Sequence, residues 1–179
     1  MKIVGVDEVG LGCLAGPVIA AAVVLGNFKG TITFKDSKKT SANLRREQFE
    51  LIKKNCYFSI GIATPKEVDK YNVLEASHLA MKRAIKSLSI TPNKILIDGS
   101  HVPKDLENAE SIIKGDDLVQ EISAASIFAK HYRDNLMQVY SFKYPHYFFE
   151  KNKGYPTAEH KSAISRFGLS QIHRKSFKI

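Results

Sequence analysis

Apolar residues along the chain fall into two patterns, short continuous runs and longer segments with helical spacing. A short apolar run bounded by turn residues is typical of a buried strand, whereas apolar positions three or four residues apart indicate an amphipathic helix. The runs predict strands over residues 2–7, 17–25, 56–63, 94–98 and 110–114. Helical spacing predicts helices over residues 43–55, 119–139 and 157–167, and one or two more after Pro65. This succession of strands and helices favours an α/β layered domain.

Chain length bounds the domain organisation. A chain of 179 residues fits one domain, and the sequence contains neither an internal repeat nor a low-complexity linker. We expect a main domain over residues 1–140 and a small C-terminal appendage over residues 141–179. The alternative is one continuous domain.

The charge of the chain suggests a partner. The formal net charge is +9, and from residue 130 onwards there are ten Lys or Arg but only three Asp or Glu. A basic surface suits a polyanion such as nucleic acid, although a merely solvated basic surface has the same composition. No apolar run approaches a membrane span, the first residues lack a signal-peptide pattern, and Cys13 and Cys56 have no metal-ligand spacing. We therefore expect a cytoplasmic protein with reduced thiols and no membrane association.

Three aspartates follow predicted strands. Asp7, Asp98 and Asp116 each come after an apolar run, and Glu8 is adjacent to the first. In α/β sheets the ligand site lies beyond the carboxyl ends of the strands, so these acids are expected at one edge. Clustered carboxylates repel one another unless a cation is bound, and oxygen-only ligation favours Mg²⁺ or Mn²⁺ over zinc. The alternative is that they are ordinary solubilising residues at strand ends.

Glu8 poses a geometric difficulty for a shared site. Successive residues of a regular strand point to opposite faces of the sheet. Asp7 and Glu8 can therefore serve one site only if the strand breaks at Glu8, which Gly10 would permit.

Motifs in order along nearly the whole chain resemble those of one family. They are VGVDEVG (4–10), LAGPV (14–18), DSKK (36–39), GIATPKEVDKYNVLEASHLAMKRA (61–84), LIDG (96–99), KGDDLVQEISAASIFAKHYRD (114–134), NKGYPTAEHKSAI (152–164) and HRKSF (173–177). In this order they resemble the motifs of bacterial type 2 ribonuclease H, or ribonuclease HII. The related type 3 enzymes resemble the chain at DEVG, but LAGPV and HRKSF favour type 2.

The resemblance implies a fold, an activity and a set of catalytic residues. The fold is RNase H-like: a mixed five-stranded sheet flanked by helices, with a small C-terminal helical appendage that completes the substrate site. The activity is endonucleolytic cleavage of RNA in RNA–DNA hybrids and at ribonucleotides embedded in duplex DNA, leaving 5′-phosphate and 3′-hydroxyl ends. Two divalent ions, Mg²⁺ or Mn²⁺, take part. The catalytic and metal-binding residues are Asp7, Glu8, Asp98 and Asp116, with Asp7 bridging the metals.

The partners follow from the same resemblance. They are RNA–DNA hybrids and DNA that contains ribonucleotides. We expect a monomer, and no segment that would recruit a sliding clamp is evident. Asp117, next to the fourth acid, is interpreted as an exposed loop residue.

The resemblance also implies substrate-binding residues. Gly10 and Gly12 match a glycine loop whose backbone groups read the 2′-hydroxyl, because no side chain holds the sugar away. Tyr155 matches a tyrosine that packs against the sugar on the DNA side of the junction. Lys38, Arg174 and Lys175 are interpreted as phosphate contacts.

Three residues depart from the family pattern. Leu11 stands where arginine is usual, Cys13 occupies the next position, which is usually proline-like, and Phe148 replaces a glycine. Leucine cannot donate a hydrogen bond to phosphate, so we expect weaker substrate binding or a weaker preference for a single ribonucleotide, with the chemistry retained. Two other classes stay open: a hybrid-binding protein of this fold with weakened cleavage owing to Leu11, and a DNA-junction nuclease.

Overall fold

Five strands form a mixed sheet in the computed structural model, which describes residues 1–26, 33–34 and 40–178. They are β1 (Ile3–Val9), β2 (Val18–Val24), β3 (Tyr57–Ala63), β4 (Lys94–Asp98) and β5 (Ala109–Ile112). Their order across the sheet is β3-β2-β1-β4-β5. β2 pairs antiparallel with both β1 and β3, whereas β4 pairs parallel with both β1 and β5. The predicted mixed five-stranded sheet is therefore confirmed.

The helices of the described chain connect and flank these strands. They are α1 (Ala42–Asn55), α2 (Pro65–Tyr71), α3 (Val73–Lys86), α4 (Gly115–Leu118), α5 (Gln120–Lys143), α6 (Phe149–Asn152) and α7 (Ala158–Phe167). The region after Pro65 forms two helices because Asn72 interrupts it with a positive φ of 71°. The Asn72 side chain then accepts the backbone N–H groups of Leu74 and Glu75, which starts α3.

The two faces of the sheet are covered by different helices. Ala20 and Ala22 of β2 pack in a cluster with residues of α3, whereas Ala21 and Val23 pack with residues of α5. This division follows from the alternation of side chains along a strand. Gly5 of β1 lies directly against the backbone of α5 at Glu121, where a side chain would collide. The central strand and α5 are thus in close contact, which matters for the site.

The C-terminal tail packs against the rest of the chain through its own apolar cluster. α5 runs through residue 140, where the boundary was predicted, and ends at Lys143. Met137 of α5 packs with Leu14 and Ala15 and with the tail residues Tyr147, Phe149, Ala163, Ile164 and Ile172. Between a 3₁₀ turn at Pro145–Tyr147 and α6, Phe148 adopts the left-handed conformation, with φ 57° and ψ 37°. A left-handed conformation that favours glycine is therefore adopted here by phenylalanine.

The structure also bears on membrane association and on the two cysteines. Within the described ranges, none of the helices combines the length and apolarity needed to cross a membrane. Cys13 and Cys56 are free thiols, as predicted.

Candidate active site

Three carboxylates converge at the carboxyl edge of the sheet. Asp7 lies on β1, Asp98 ends β4, and Asp116 lies on α4. The parallel register that pairs Val6 with Ile97 brings Asp7 and Asp98 to the same edge. One potential ligand oxygen from each of the three aspartates lies within 4.8 Å of the others. The predicted meeting of these three residues therefore occurs.

Asp116 reaches the site from a helix rather than from a strand end. The fifth predicted strand was expected to run to residue 114, but β5 ends at Ile112, and Lys114 with φ 57° turns the chain into α4. The N–H of Gly115 donates to Asp98 Oδ1 at 2.7 Å, and a side chain on Gly115 would crowd Ile122. The hydroxyl of Ser123 on α5 donates to the backbone carbonyl of Asp116 at 2.6 Å.

The electrostatics of Asp7 show why this cluster suits a cation. Burial raises the pKa of Asp7 well above its ordinary value, and the neighbouring charges of Glu8 and Asp98 raise it further. A hydrogen bond from Ser126 on α5 acts in the opposite direction and favours the carboxylate. Crowded carboxylates of this kind are stabilised by a divalent ion, and a donor set made only of oxygen fits Mg²⁺ or Mn²⁺.

Glu8 differs from the prediction in its position on the strand. The expected break at Glu8 does not occur, because β1 continues to Val9 and Glu8 keeps its pairing with Ala20. Asp7 and Glu8 therefore alternate across the sheet, and the backbone N–H of Glu8 donates to Asp7 Oδ1 at 2.7 Å. Glu8 influences the cluster through its charge on Asp7. Its place in a metal shell stays a proposal.

Arg174 holds the glycine loop from within the protein. The residue is 1% exposed, and its guanidinium donates to three carbonyl oxygens. These belong to Gly10 at 2.6 Å, Leu11 at 2.9 Å and Gly16 at 2.9 and 3.0 Å. Burial lowers the pKa of Arg174 to about 10. The interpretation of Arg174 as a phosphate contact is corrected, because its donors are directed into the loop; Lys175 is exposed beside it.

A second buried arginine, Arg133, was not predicted from the sequence. It is 0% exposed and donates to the carbonyl oxygens of Ala15 at 3.0 Å, Pro17 at 3.0 Å and Lys153 at 2.8 Å. The sequence could have indicated its burial, because Arg133 lies four residues after Ala129 and seven after Ser126, on the buried face of α5. Together the two arginines hold the connection between β1 and β2 by its carbonyl oxygens, Arg174 at residues 10, 11 and 16 and Arg133 at residues 15 and 17.

The two loop glycines differ in what they require. Gly10 has a φ of +96°, and an added side chain would collide with Arg133. Gly12 is exposed, and an added Cβ would meet no atom within 4 Å. Packing therefore explains why position 10 is glycine, whereas it does not explain glycine at position 12, where the backbone is open to solvent. Leu11 between them is 38% exposed.

Tyr155 stands beside this loop. Its side chain lies beside the Cys13 thiol, and its ring centroid lies 5.7 Å from Lys130 Nζ. Burial raises the pKa of Tyr155 to about 12, yet 36% of the residue remains exposed. The preceding residue, Gly154, accepts the N–H of Leu14 at 2.8 Å. The turn that carries Tyr155 is thus hydrogen-bonded to Leu14, which follows the glycine loop.

Four further residues complete the comparison of the predicted site with the structure. Lys38, with the rest of DSKK, lies outside the described residues. Asp117 is exposed, as predicted, but it lies on α4 and not in a loop. Ser123 and Ser126, whose hydroxyls hold Asp116 and Asp7, were seen in the sequence only as small residues of a closely packed helix.

Comparison with known proteins identifies the class and then the family. A ribonuclease H2 from Pyrococcus horikoshii OT3 has a crystal structure that matches with a TM-score of 0.84 at 26% identity, covering 99% of this chain and 94% of that one. The fold is therefore that of the RNase H-like class. The family model for ribonuclease HII matches residues 4–179.

Two curated relatives agree with this assignment. Ribonuclease HII of Pelagibacter ubique (strain HTCC1062) is 49% identical and covers 99% of this chain and 96% of its own length. Ribonuclease HII of Maricaulis maris (strain MCS10) is 47% identical, with coverage of 99% and 82%. The chain belongs to the ribonuclease HII family. It is a ribonuclease H, a nuclease that depends on divalent metal ions, and this membership does not favour a protein that only binds hybrids.

Proposed function

We propose that this ribonuclease H cleaves RNA in RNA–DNA hybrids and at ribonucleotides embedded in duplex DNA, leaving 5′-phosphate and 3′-hydroxyl ends. The observation that carries the proposal is the cluster of Asp7, Asp98 and Asp116, with ligand oxygens within 4.8 Å of one another. A protein that only bound nucleic acid would gain nothing from anionic charge gathered where phosphate approaches.

The acids would hold two divalent ions, Mg²⁺ or Mn²⁺. Asp7, Asp98 and Asp116 offer the converging oxygens. Glu8 belongs to the proposed set because its charge acts on Asp7, although β1 continues unbroken through it. Bound there, such ions supply a more acidic water as nucleophile and stabilise the charge that develops on the departing 3′-oxygen. Ser126 keeps the Asp7 carboxylate oriented through its hydrogen bond, and Gly115 does the same for Asp98.

The glycine loop and Tyr155 would distinguish ribose from deoxyribose. The open backbone at Gly12 allows a sugar to approach peptide groups that can hydrogen-bond a 2′-hydroxyl. The exposed part of the Tyr155 ring offers an apolar face that suits a deoxyribose beside the ribonucleotide. Since Arg174 and Arg133 hold the loop by its carbonyl oxygens, the backbone is fixed before substrate binds.

The C-terminal tail belongs to the same site in this proposal. Residues 141–179 supply Tyr155 and Arg174, and the chain from residue 130 onwards carries much of the net positive charge. This charge favours the phosphate backbones of the duplex. We further propose that the protein acts as a monomer in the cytoplasm.

A gel assay on a duplex with one embedded ribonucleotide tests the function. We expect cleavage on the 5′ side of the ribonucleotide with Mg²⁺ or Mn²⁺, and none with EDTA. Asp116→Asn is expected to abolish cleavage, and Asp7→Asn likewise. Asp117→Asn is the matched control, an exposed carboxylate one residue away that should leave cleavage intact. Binding without cleavage under either metal would contradict the proposal and favour a hybrid-binding protein.

A further inference from the structure

Two buried histidines connect the C-terminal tail to Tyr155. His160 on α7 is 0% exposed and His173 is 3% exposed. Their Nε2 atoms lie 3.0 Å apart. On the outer side of the pair, His160 Nδ1 lies 2.8 Å from the backbone carbonyl oxygen of Tyr155. At the other end, the N–H and the hydroxyl of Ser170 lie 2.9 Å and 2.7 Å from His173 Nδ1.

The backbone partners determine where the protons are. The N–H of Ser170 can only donate, so His173 Nδ1 accepts and the proton of His173 is on Nε2. The carbonyl of Tyr155 can only accept, so His160 Nδ1 donates and His160 Nε2 is free to accept from His173. Every hydrogen bond is then made with both rings neutral and with opposite tautomers.

The surroundings of the pair favour this neutral state. Tyr147 and Phe149 pack against the rings, with the Tyr147 ring centroid 4.9 Å from that of His173 and the Phe149 centroid 5.4 Å from that of His160. The hydroxyl of Tyr147 donates a hydrogen bond to the carbonyl oxygen of Gly168.

The charged neighbours of the pair are directed elsewhere. Arg174 donates to the loop carbonyls, while Glu159 pairs with Lys151 at 3.6 Å, and Glu159 and Lys161 are exposed on α7. A proton added to His160 Nε2 would place two N–H groups against each other at the Nε2 contact, and a proton added to His173 Nδ1 would oppose the N–H of Ser170. Either proton breaks the chain of hydrogen bonds.

Resting on the function proposed above, we propose that His160 and His173 are positioning residues, which hold the Tyr155 backbone so that its ring is set for the sugar next to the ribonucleotide. The Tyr155 carbonyl accepts from His160 and also from the N–H of Thr157 at 2.8 Å. Removal of the His160 imidazole therefore weakens the turn, while the hydrogen bond from Thr157 remains. The pair contacts neither the acids nor the glycine loop's carbonyl oxygens through its side chains, so its effect on the reaction passes through Tyr155.

Steady-state kinetics on the single-ribonucleotide duplex test this role. His160→Leu is expected to raise KM about five- to tenfold, with kcat within about twofold of wild type. His160→Asn keeps an N–H near the position of Nδ1 and should recover much of the loss. Ile164→Val is the matched control, a small buried change one turn further along the same helix, and should leave KM unchanged.

A double-mutant cycle separates positioning from a merely structural role. If His160 acts through Tyr155, then adding His160→Leu to Tyr155→Ala causes no further rise in KM. An additive rise would overturn the proposal, and so would equal KM values for His160→Leu and wild type. Thermal melts followed by circular dichroism identify a variant that fails to fold, in which case His160→Asn carries the test.

Nitrogen-15 NMR of the imidazoles tests the proton arrangement without reference to activity. We expect the Nδ1–H tautomer for His160 and the Nε2–H tautomer for His173 at neutral pH. Other tautomers in a wild-type protein that cleaves the duplex would overturn the proposed chain of hydrogen bonds through His160 and His173. They would leave the proposed function standing. A wild-type protein that cleaves no ribonucleotide-containing duplex would instead overturn the proposed function itself.

Discussion

Arg174 Nη2 donates to the carbonyl oxygen of Gly10 at 2.6 Å, across 164 positions of the chain. In Arg174→Ala the buried carbonyl oxygens of the loop lose their donors, and each unsatisfied group costs about 1–3 kcal/mol. We expect urea denaturation to show a loss of about 3 kcal/mol in the free energy of unfolding, with a higher KM. Lys178→Ala, an exposed change in the same tail, should alter neither quantity. Wild-type stability in Arg174→Ala would contradict this role.

Gly12→Ala should separate stability from substrate binding. The added methyl group meets no atom within 4 Å, so the change in the free energy of unfolding should stay within about 0.5 kcal/mol. If a ribose approaches the backbone here, the same methyl group should raise KM about tenfold, which corresponds to about 1.4 kcal/mol. Gly10→Ala should instead destabilise the protein, because of its positive φ and its collision with Arg133. An unchanged KM in Gly12→Ala would exclude close approach at this residue.

Leu11→Arg should strengthen binding of the ribonucleotide-containing duplex. The side chain is 38% exposed, and the loop is held through the Leu11 carbonyl, so arginine can be accommodated. A charge-assisted contact to phosphate should lower KM up to about tenfold and steepen its dependence on salt. Leu11→Gln, polar but uncharged, is the control and should have a smaller effect. Identical KM values for all three proteins would show that position 11 does not face phosphate.

Phe148 stores backbone strain that a pair of variants can measure. Its φ of 57° lies in the left-handed region, which costs a residue with a Cβ about 1–2 kcal/mol relative to its usual conformation. Phe148→Gly and Phe148→Ala both lose the ring, but only glycine relieves the strain. We expect Phe148→Gly to be about 1 kcal/mol more stable than Phe148→Ala in thermal melts. Equal stabilities would mean that the turn relaxes in the variants.

Acid should destabilise the fold through the histidine pair. Burial and the neighbouring His160 lower the pKa of His173 to about 4, and burial lowers the pKa of His160, from an ordinary value of 6.5. Between these values the unfolded chain binds protons that the folded chain does not, so stability falls as pH drops from 6.5 towards 4. His173→Gln should flatten the decline of the melting temperature over that interval. An equally steep decline in the variant would place its origin in other groups.

The sequence predicted the strands of the sheet better than it predicted which elements carry the acidic residues to the site. All five strands match their predicted ranges to within two residues, because a short run of apolar residues is a local property of the chain. Asp116 was expected at a strand end, yet it lies on α4 because Lys114 turns the chain early. The strand break expected at Glu8 is absent, since the pairing of β1 with β2 continues to Val9.

By itself, the sequence determined the succession of strands and helices, the position of the acids after apolar runs and the family to compare with. These depend on side-chain spacing and on motifs that a linear chain displays. Only the tertiary structure decided that Arg174 and Arg133 point inwards and that His160 meets His173. A basic side chain is expected in solvent unless backbone carbonyls surround it, and all of those carbonyls except that of Lys153 come from segments more than a hundred positions away. The spacing of Arg133 along α5 could indicate that it is buried, but the acceptors that make a buried charge stable are a property of the assembled fold.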